Sequence, residues 1–134
     1  MAIGMKTVSA AFLPGYFGDG IMLLNAFIMC VLDYLVAFTC LGLGGCFRNR
    51  MEHKGAALMC GSLVALGARY LAHFFSGYIL FAGWAEWFFT QEGFPAWGAS
   101  LVSSLSPAAL GLTYSIVYNG MYMIPELILT VLAA

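Results

Sequence analysis

Three long apolar runs organise the chain. From 21 to 47 the sequence is apolar except for Asn25, Asp33 and Thr39, and it closes on Gly42-Leu43-Gly44-Gly45 before Arg48. The second run, 55–81, holds Arg69 and His73 four residues apart. The third, 107–134, carries Glu126 as its only charge. Each is longer than the roughly 20 residues an α-helix needs to cross a bilayer, so each predicts a transmembrane helix. Pro107 suits the first turn of the third helix, whereas Pro125 predicts a kink near its far end. The fold class is therefore all-α, a polytopic membrane helical bundle.

The segments between the runs give orientation. Arg48-Asn49-Arg50-Met51-Glu52-His53-Lys54 carries three basic residues against one acidic residue, which places this short loop in the cytoplasm by the positive-inside rule. The first helix then runs inward, the second returns, and the third runs inward again to a cytoplasmic C-terminus. The outer connection, 83–106, contains Trp84, Trp87, Phe88, Phe89, Phe94 and Trp97, with Glu86 and Glu92 as its only charges. It reads as an interfacial aromatic belt, part of it a short helix at the membrane surface. Residues 1–20 read as an N-terminal stub and loop: the run from Val8 to Leu13 is too short to span, and Gly15, Gly18 and Gly20 favour turns. The whole of 1–134 forms a single integral membrane domain.

Composition removes several function classes. The chain is 63% hydrophobic and 8% charged, which leaves no soluble domain to find. A net charge of -1 gives no footprint for nucleic acid. Cys30, Cys40, Cys46 and Cys60 form no Cys-x-x-Cys pair and meet no histidine at metal-finger spacing, so they read as small reduced packing residues and no metal site is expected.

The chemistry lies in the few polar residues inside the apolar runs. On the third helix, positions four apart share a face, so Tyr114, Tyr118, Tyr122 and Glu126 form one stripe and Ser115, Asn119 and Met123 the next. Hydrocarbon tolerates neither, so this flank faces other helices or a cavity: Asn119 is either interhelical hydrogen-bond glue or part of a ligand site. Asp33 in a spanning helix points to function, the alternative being an intramembrane pair with Arg69. Helix rise puts Asp33, His73, Tyr114 and Asn119 roughly 10 to 18 Å below the outer ends of their helices. One carboxylate, one imidazole, one amide and several rings at one depth suit a small, planar, polar cation. They do not suit an enzyme, because neither Glu126 nor His73 has a complementary acid–base partner at its own depth.

These residues also fall in motifs. Leu32-Asp33-Tyr34-Leu35-Val36-Ala37-Phe38, then Arg69-Tyr70-Leu71-Ala72-His73-Phe74 with Gly77, then Tyr114-Ser115-x-x-Tyr118-Asn119-Gly120 with Tyr122 and Pro125-Glu126, closely resemble the thiamine-specific substrate-binding subunits of energy-coupling factor transporters. The resemblance implies a thiamine-binding protein of the bacterial plasma membrane that has no cofactor of its own. Its implied partners are a transmembrane coupling subunit and two ATPase subunits that spend the ATP. It implies Asp33 as the acidic pocket residue, His73 and Asn119 as polar pocket residues, Tyr114 as an aromatic wall and Phe81 as a stacking ring. Such subunits usually have six spanning helices, so the resemblance covers a C-terminal half and implies N-terminal truncation. The alternative is a small structural membrane protein without ligand, self-associating through the Ala57–Gly61 and Ala68–Ala72–Ser76 ridges.

Overall fold

The computed structural model describes residues 20–134. The stub and loop expected over 1–20 lie, apart from Gly20, outside the described residues. Three helices are long and apolar enough to cross a membrane, and no strand occurs among the described residues.

The first of them, α1, is composite. It is α-helical over Gly20–Met29, π-helical over Cys30–Val36, α-helical again over Ala37–Cys40 and 3-10 over Leu41–Gly45. In the π segment the Ala37 N–H reaches back five residues to the Leu32 carbonyl. Such a wide turn re-phases the helix, and it centres on Asp33. The 3-10 end follows from Gly42, Gly44 and Gly45, which weaken an α-helix and lead into the turns that carry Arg48 and Arg50.

Helix α2, Lys54–Phe81, is the central element and packs on both other long helices. Its N-terminal half meets the 3-10 end of α1, where Gly61 lies so close to Gly44 that any Cβ would strike the Gly44 carbonyl. Its C-terminal half meets α5, Pro107–Ala133, where Gly77 plays the same part opposite Ser115. In hydrocarbon no hydrophobic effect drives helices together, so small residues that permit close approach set the contact. Ala57, Gly61, Ala72 and Ser76 are thereby buried within one chain. The self-associating alternative loses most of the surface it was built on.

The α5 helix starts where the sequence predicts. Ser106 caps it, its hydroxyl accepting from the Ala109 N–H at 3.4 Å and its carbonyl from the Leu110 N–H at 2.8 Å, and Pro107 fills the first helical position. The helix continues unbroken through Pro125 to Ala133. The residue that follows it, Ala134, lies beside Gly55, so the end of α5 and the basic loop share one end of the bundle.

The connection between α2 and α5 folds into a 3-10 turn, Ala82–Trp84, and two short helices, α3 (Ala85–Thr90) and α4 (Trp97–Ser104). They are joined through Gly93, whose φ of 86° suits only a residue without a side chain. The aromatic residues divide by type. Phe88 and Phe89 turn inward onto Leu110 and Tyr114, while Trp84, Trp87 and Trp97 stay exposed, as rings with an N–H do at a membrane–water boundary. The segment is thus a cap with a core of its own rather than a flat belt. Elsewhere the outward residues, Leu24, Phe27, Leu71, Ile79, Leu129 and Leu132 among them, are the apolar faces that hydrocarbon would solvate.

Replacing Gly61 by valine is expected to destabilise the detergent-solubilised fold by about 1–3 kcal/mol, through overpacking against the Gly44 backbone. Gly67→Ala, at an exposed helical position with open space around it, should leave stability unchanged or raise it by about 0.5–1 kcal/mol. Melting temperatures of the two variants check both statements.

Candidate functional site

A cavity opens between the three long helices towards the end covered by α3 and α4. Met29, Asp33, Tyr34 and Phe38 of α1 line one wall; Arg69, His73, Ser76, Gly77 and Phe81 of α2 the second; and Tyr114, Tyr118, Asn119 and Tyr122 of α5 the third. Asp33, His73, Phe81, Tyr114 and Asn119, expected from sequence, all line this one space. Their spacing explains much of the rest. Arg69 and Gly77 lie one turn either side of His73, and Tyr118 and Tyr122 continue the Tyr114 stripe. Helix periodicity could therefore have found these four. Phe38 is different: it lies five residues after Asp33, and the π turn brings both to the cavity. No ordinary α-helical reading would have paired them.

The charged groups sort by depth. His73 Nδ1 lies 3.0 Å from Asp33 Oδ1, and Arg69 Nη1 donates to Glu126 Oε1 at 2.6 Å. The Asp33–Arg69 pair considered from sequence is therefore not the one formed. Arg69 is a full turn further from the cap than His73, which places it level with Glu126 instead. Since Arg69 and Glu126 cancel, the Asp33 carboxylate is left without a fixed counter-charge among the lining residues. A half-buried carboxylate whose contact is an imidazole has the chemistry to balance a cation.

Asn119 takes both of its sequence-level roles in part. Its Nδ2 donates to the His73 carbonyl at 3.1 Å and the Ser115 carbonyl at 2.8 Å, and its Oδ1 accepts from the Tyr122 hydroxyl at 2.7 Å. Ser115 Oγ donates to the Phe74 carbonyl at 2.6 Å. This seam works as interhelical glue, yet it also fixes the backbone under His73 and the direction of the Tyr122 phenol, both on the cavity wall. The seam closes only because Gly77 has no side chain: a Cβ there would overlap Ser115 Oγ and press on Asn119 Nδ2.

The tyrosines form a ladder along α5. Tyr114 and Tyr118 stack with centroids 5.5 Å apart and planes 26° apart, and Tyr118 meets Tyr122 edge-on at 6.1 Å. Phe88 of the cap packs edge-on against Tyr114 at 5.2 Å and Tyr118 at 5.7 Å, locking the top of the ladder. Tyr122 packs edge-on with His73 at 6.3 Å. The wall opposite Asp33 is thus made of ring faces and edges, the surface on which a planar cation stacks. No nucleophile with an activating base is built into it, and no cluster of metal-ligating side chains occurs among the described residues.

The comparison with known families settles the kinship. The family model described as Thiamine transporter protein (Thia_YuaJ) matches residues 16–134. The chain belongs to this family. Among curated relatives, the thiamine transporter ThiT of Bacillus subtilis (strain 168) is 29% identical over 111 residues. That match covers 76% of this chain and 47% of the relative, so the chain spans about half the relative's length. No solved structure matches. Membership in the thiamine transporter family, with the three apolar helices, makes this a multi-pass membrane protein.

The seam makes a sharp expectation for a family member of this kind. Ser115→Ala should cost about 1 kcal/mol, one interhelical hydrogen bond. Gly77→Ala should cost about 1–3 kcal/mol, because the new methyl must separate α2 from α5. Thermal unfolding in detergent reads both, and unchanged stability in Gly77→Ala would show that the close approach at Gly77 is not needed.

Proposed function

We propose that the chain binds thiamine in the cavity between α1, α2 and α5 and serves as the substrate-binding component of an ATP-driven uptake system. The observation that carries this reading is the pairing of the Asp33 carboxylate, held at 3.0 Å by the His73 imidazole alone among the described residues, with a facing ladder of aromatic rings, in a member of the thiamine transporter family. Thiamine is a planar aromatic cation with a second, amine-bearing ring. Asp33 supplies the charge, Tyr114 and Phe81 the ring contacts, and His73 and Asn119 hold the polar edge.

The chain does no covalent chemistry on the vitamin in this reading. Energy comes from ATP hydrolysed by two ATPase subunits and passed through a transmembrane coupling subunit, as the resemblance of the three motifs implies. The basic loop at 48–54 and the C-terminus share one end of the bundle, and the positive-inside rule assigns that end to the cytoplasm. The aromatic cap then faces outward, over the cavity, where vitamin arrives.

Titration calorimetry of thiamine into the purified 134-residue protein tests the reading. Saturable one-to-one binding is expected, weakened at least tenfold, about 1.4 kcal/mol, in Asp33→Asn. Asn119→Ala should lose affinity and stability together, since the amide holds His73 and Tyr122. No saturable binding by the unmodified protein, or unchanged affinity in Asp33→Asn, would contradict it.

A further inference from the structure

Among the described residues, two buried side-chain polar atoms have no hydrogen-bond partner: Arg69 Nε and Ser76 Oγ. Both belong to residues that line the cavity. Arg69 is the more telling, because a guanidinium is costly to bury unless its N–H groups are used. Arg69 is only 9% exposed. Of its five N–H groups, the described residues take the one on Nη1 that bonds Glu126. One face of the guanidinium lies 5.7 Å from the centroid of the Phe38 ring, itself on the cavity wall. A residue present only to neutralise Glu126 would not need to line the cavity, nor to leave a buried donor unspent.

We propose that Arg69 is a ligand-positioning residue that receives an oxygen acceptor on the arm of the bound molecule. This rests on the thiamine reading and deepens it. Arg69 lies one helical turn below His73 on the same face of α2, so the cavity has two chemically opposite ends. The outer end, Asp33 with His73, takes the cationic or amine-bearing part. The inner end offers unspent N–H donors on a guanidinium whose charge Glu126 already balances, so a cation nearby is not repelled. Thiamine matches this polarity: its thiazolium ring carries a hydroxyethyl arm ending in oxygen. A phosphate ester of that arm presents the same acceptor chemistry with added charge, and a guanidinium fork suits it well. Arg69 therefore orients the ligand arm-inward and sets how strongly an oxygen on that arm is recognised.

The test is titration calorimetry on the full chain with three ligands: thiamine, thiamine monophosphate, and a thiamine analogue whose arm lacks the hydroxyl. Two variants separate positioning from structure. Arg69→Lys keeps a cation beside Glu126 but removes Nε and the fork. The double variant Arg69→Gln/Glu126→Gln removes both charges without stranding a carboxylate. The unmodified protein should prefer thiamine over the deoxy analogue by about tenfold, the effect of a hydrogen bond to a charged donor. In both variants that preference should fall below about threefold, with affinity for the deoxy analogue unchanged. If the phosphate ester is also taken at this end, its affinity should fall more than that of thiamine in the double variant. Equal losses for all three ligands, or no change in any, would overturn the proposal and leave Arg69 a structural partner of Glu126. A protein that binds the deoxy analogue and thiamine equally from the start would overturn it while the thiamine reading stands. A protein that binds none of the three overturns both.

Discussion

Polar groups on a helix inside a membrane have no water to turn to, and the seam between α2 and α5 is where this chain meets that constraint most closely. Where α2 crosses α5, Gly77 lets Ser115 and Asn119 reach the carbonyls of Phe74 and His73. Two residues of the cavity wall, His73 and Tyr122, are referenced directly to this seam. It sets the backbone from which His73 reaches Asp33, and through Asn119 it directs Tyr122. The seam is a case where structural glue and site geometry are the same bonds, so the two roles proposed for Asn119 do not compete.

The rest of the bundle is arranged around that fixed crossing. The Gly44–Gly61 approach anchors α1 at the opposite end of α2, so α1 is held near its C-terminal end while its π turn presents Asp33 and Phe38 to the cavity. The aromatic cap pins the Tyr114–Tyr118 end of the ladder through Phe88. Charges are layered: an imidazole–carboxylate pair next to the ladder and a guanidinium–carboxylate pair a turn deeper. Layering keeps the two carboxylates from competing for one cation, which leaves Asp33 available to a ligand.

Much of this was legible in the sequence, for definite reasons. Long apolar runs gave the three helices, because bilayer thickness dictates their length. Spacing of four placed Tyr114, Tyr118 and Tyr122 on one stripe, and rise per residue brought Asp33, His73 and Asn119 to similar depth. What escaped was whatever depends on how helices cross. The choice of Glu126 over Asp33 as the partner of Arg69 follows from relative depth and rotation of two helices, which periodicity within one helix does not report. The π turn arises inside a run of ordinary helix formers, so Phe38 gave no signal. The cap was expected as an aromatic belt, but which rings turn inward depends on the contacts that α3 makes with Leu110 and Tyr114. The Ala57–Gly61 and Ala68–Ala72–Ser76 ridges allow close helix approach without naming the partner helix, and the fold covers Ala57, Gly61, Ala72 and Ser76 internally while Ala68 is only partly covered.

The most direct measurement of the central claim is a structure of this chain determined with thiamine bound. The ligand is expected between the Asp33 carboxylate and the Tyr114–Tyr118 ladder, with the Gly77–Ser115–Asn119 seam unchanged. Thiamine found on another surface, or bound in the cavity without contact to Asp33, would contradict it.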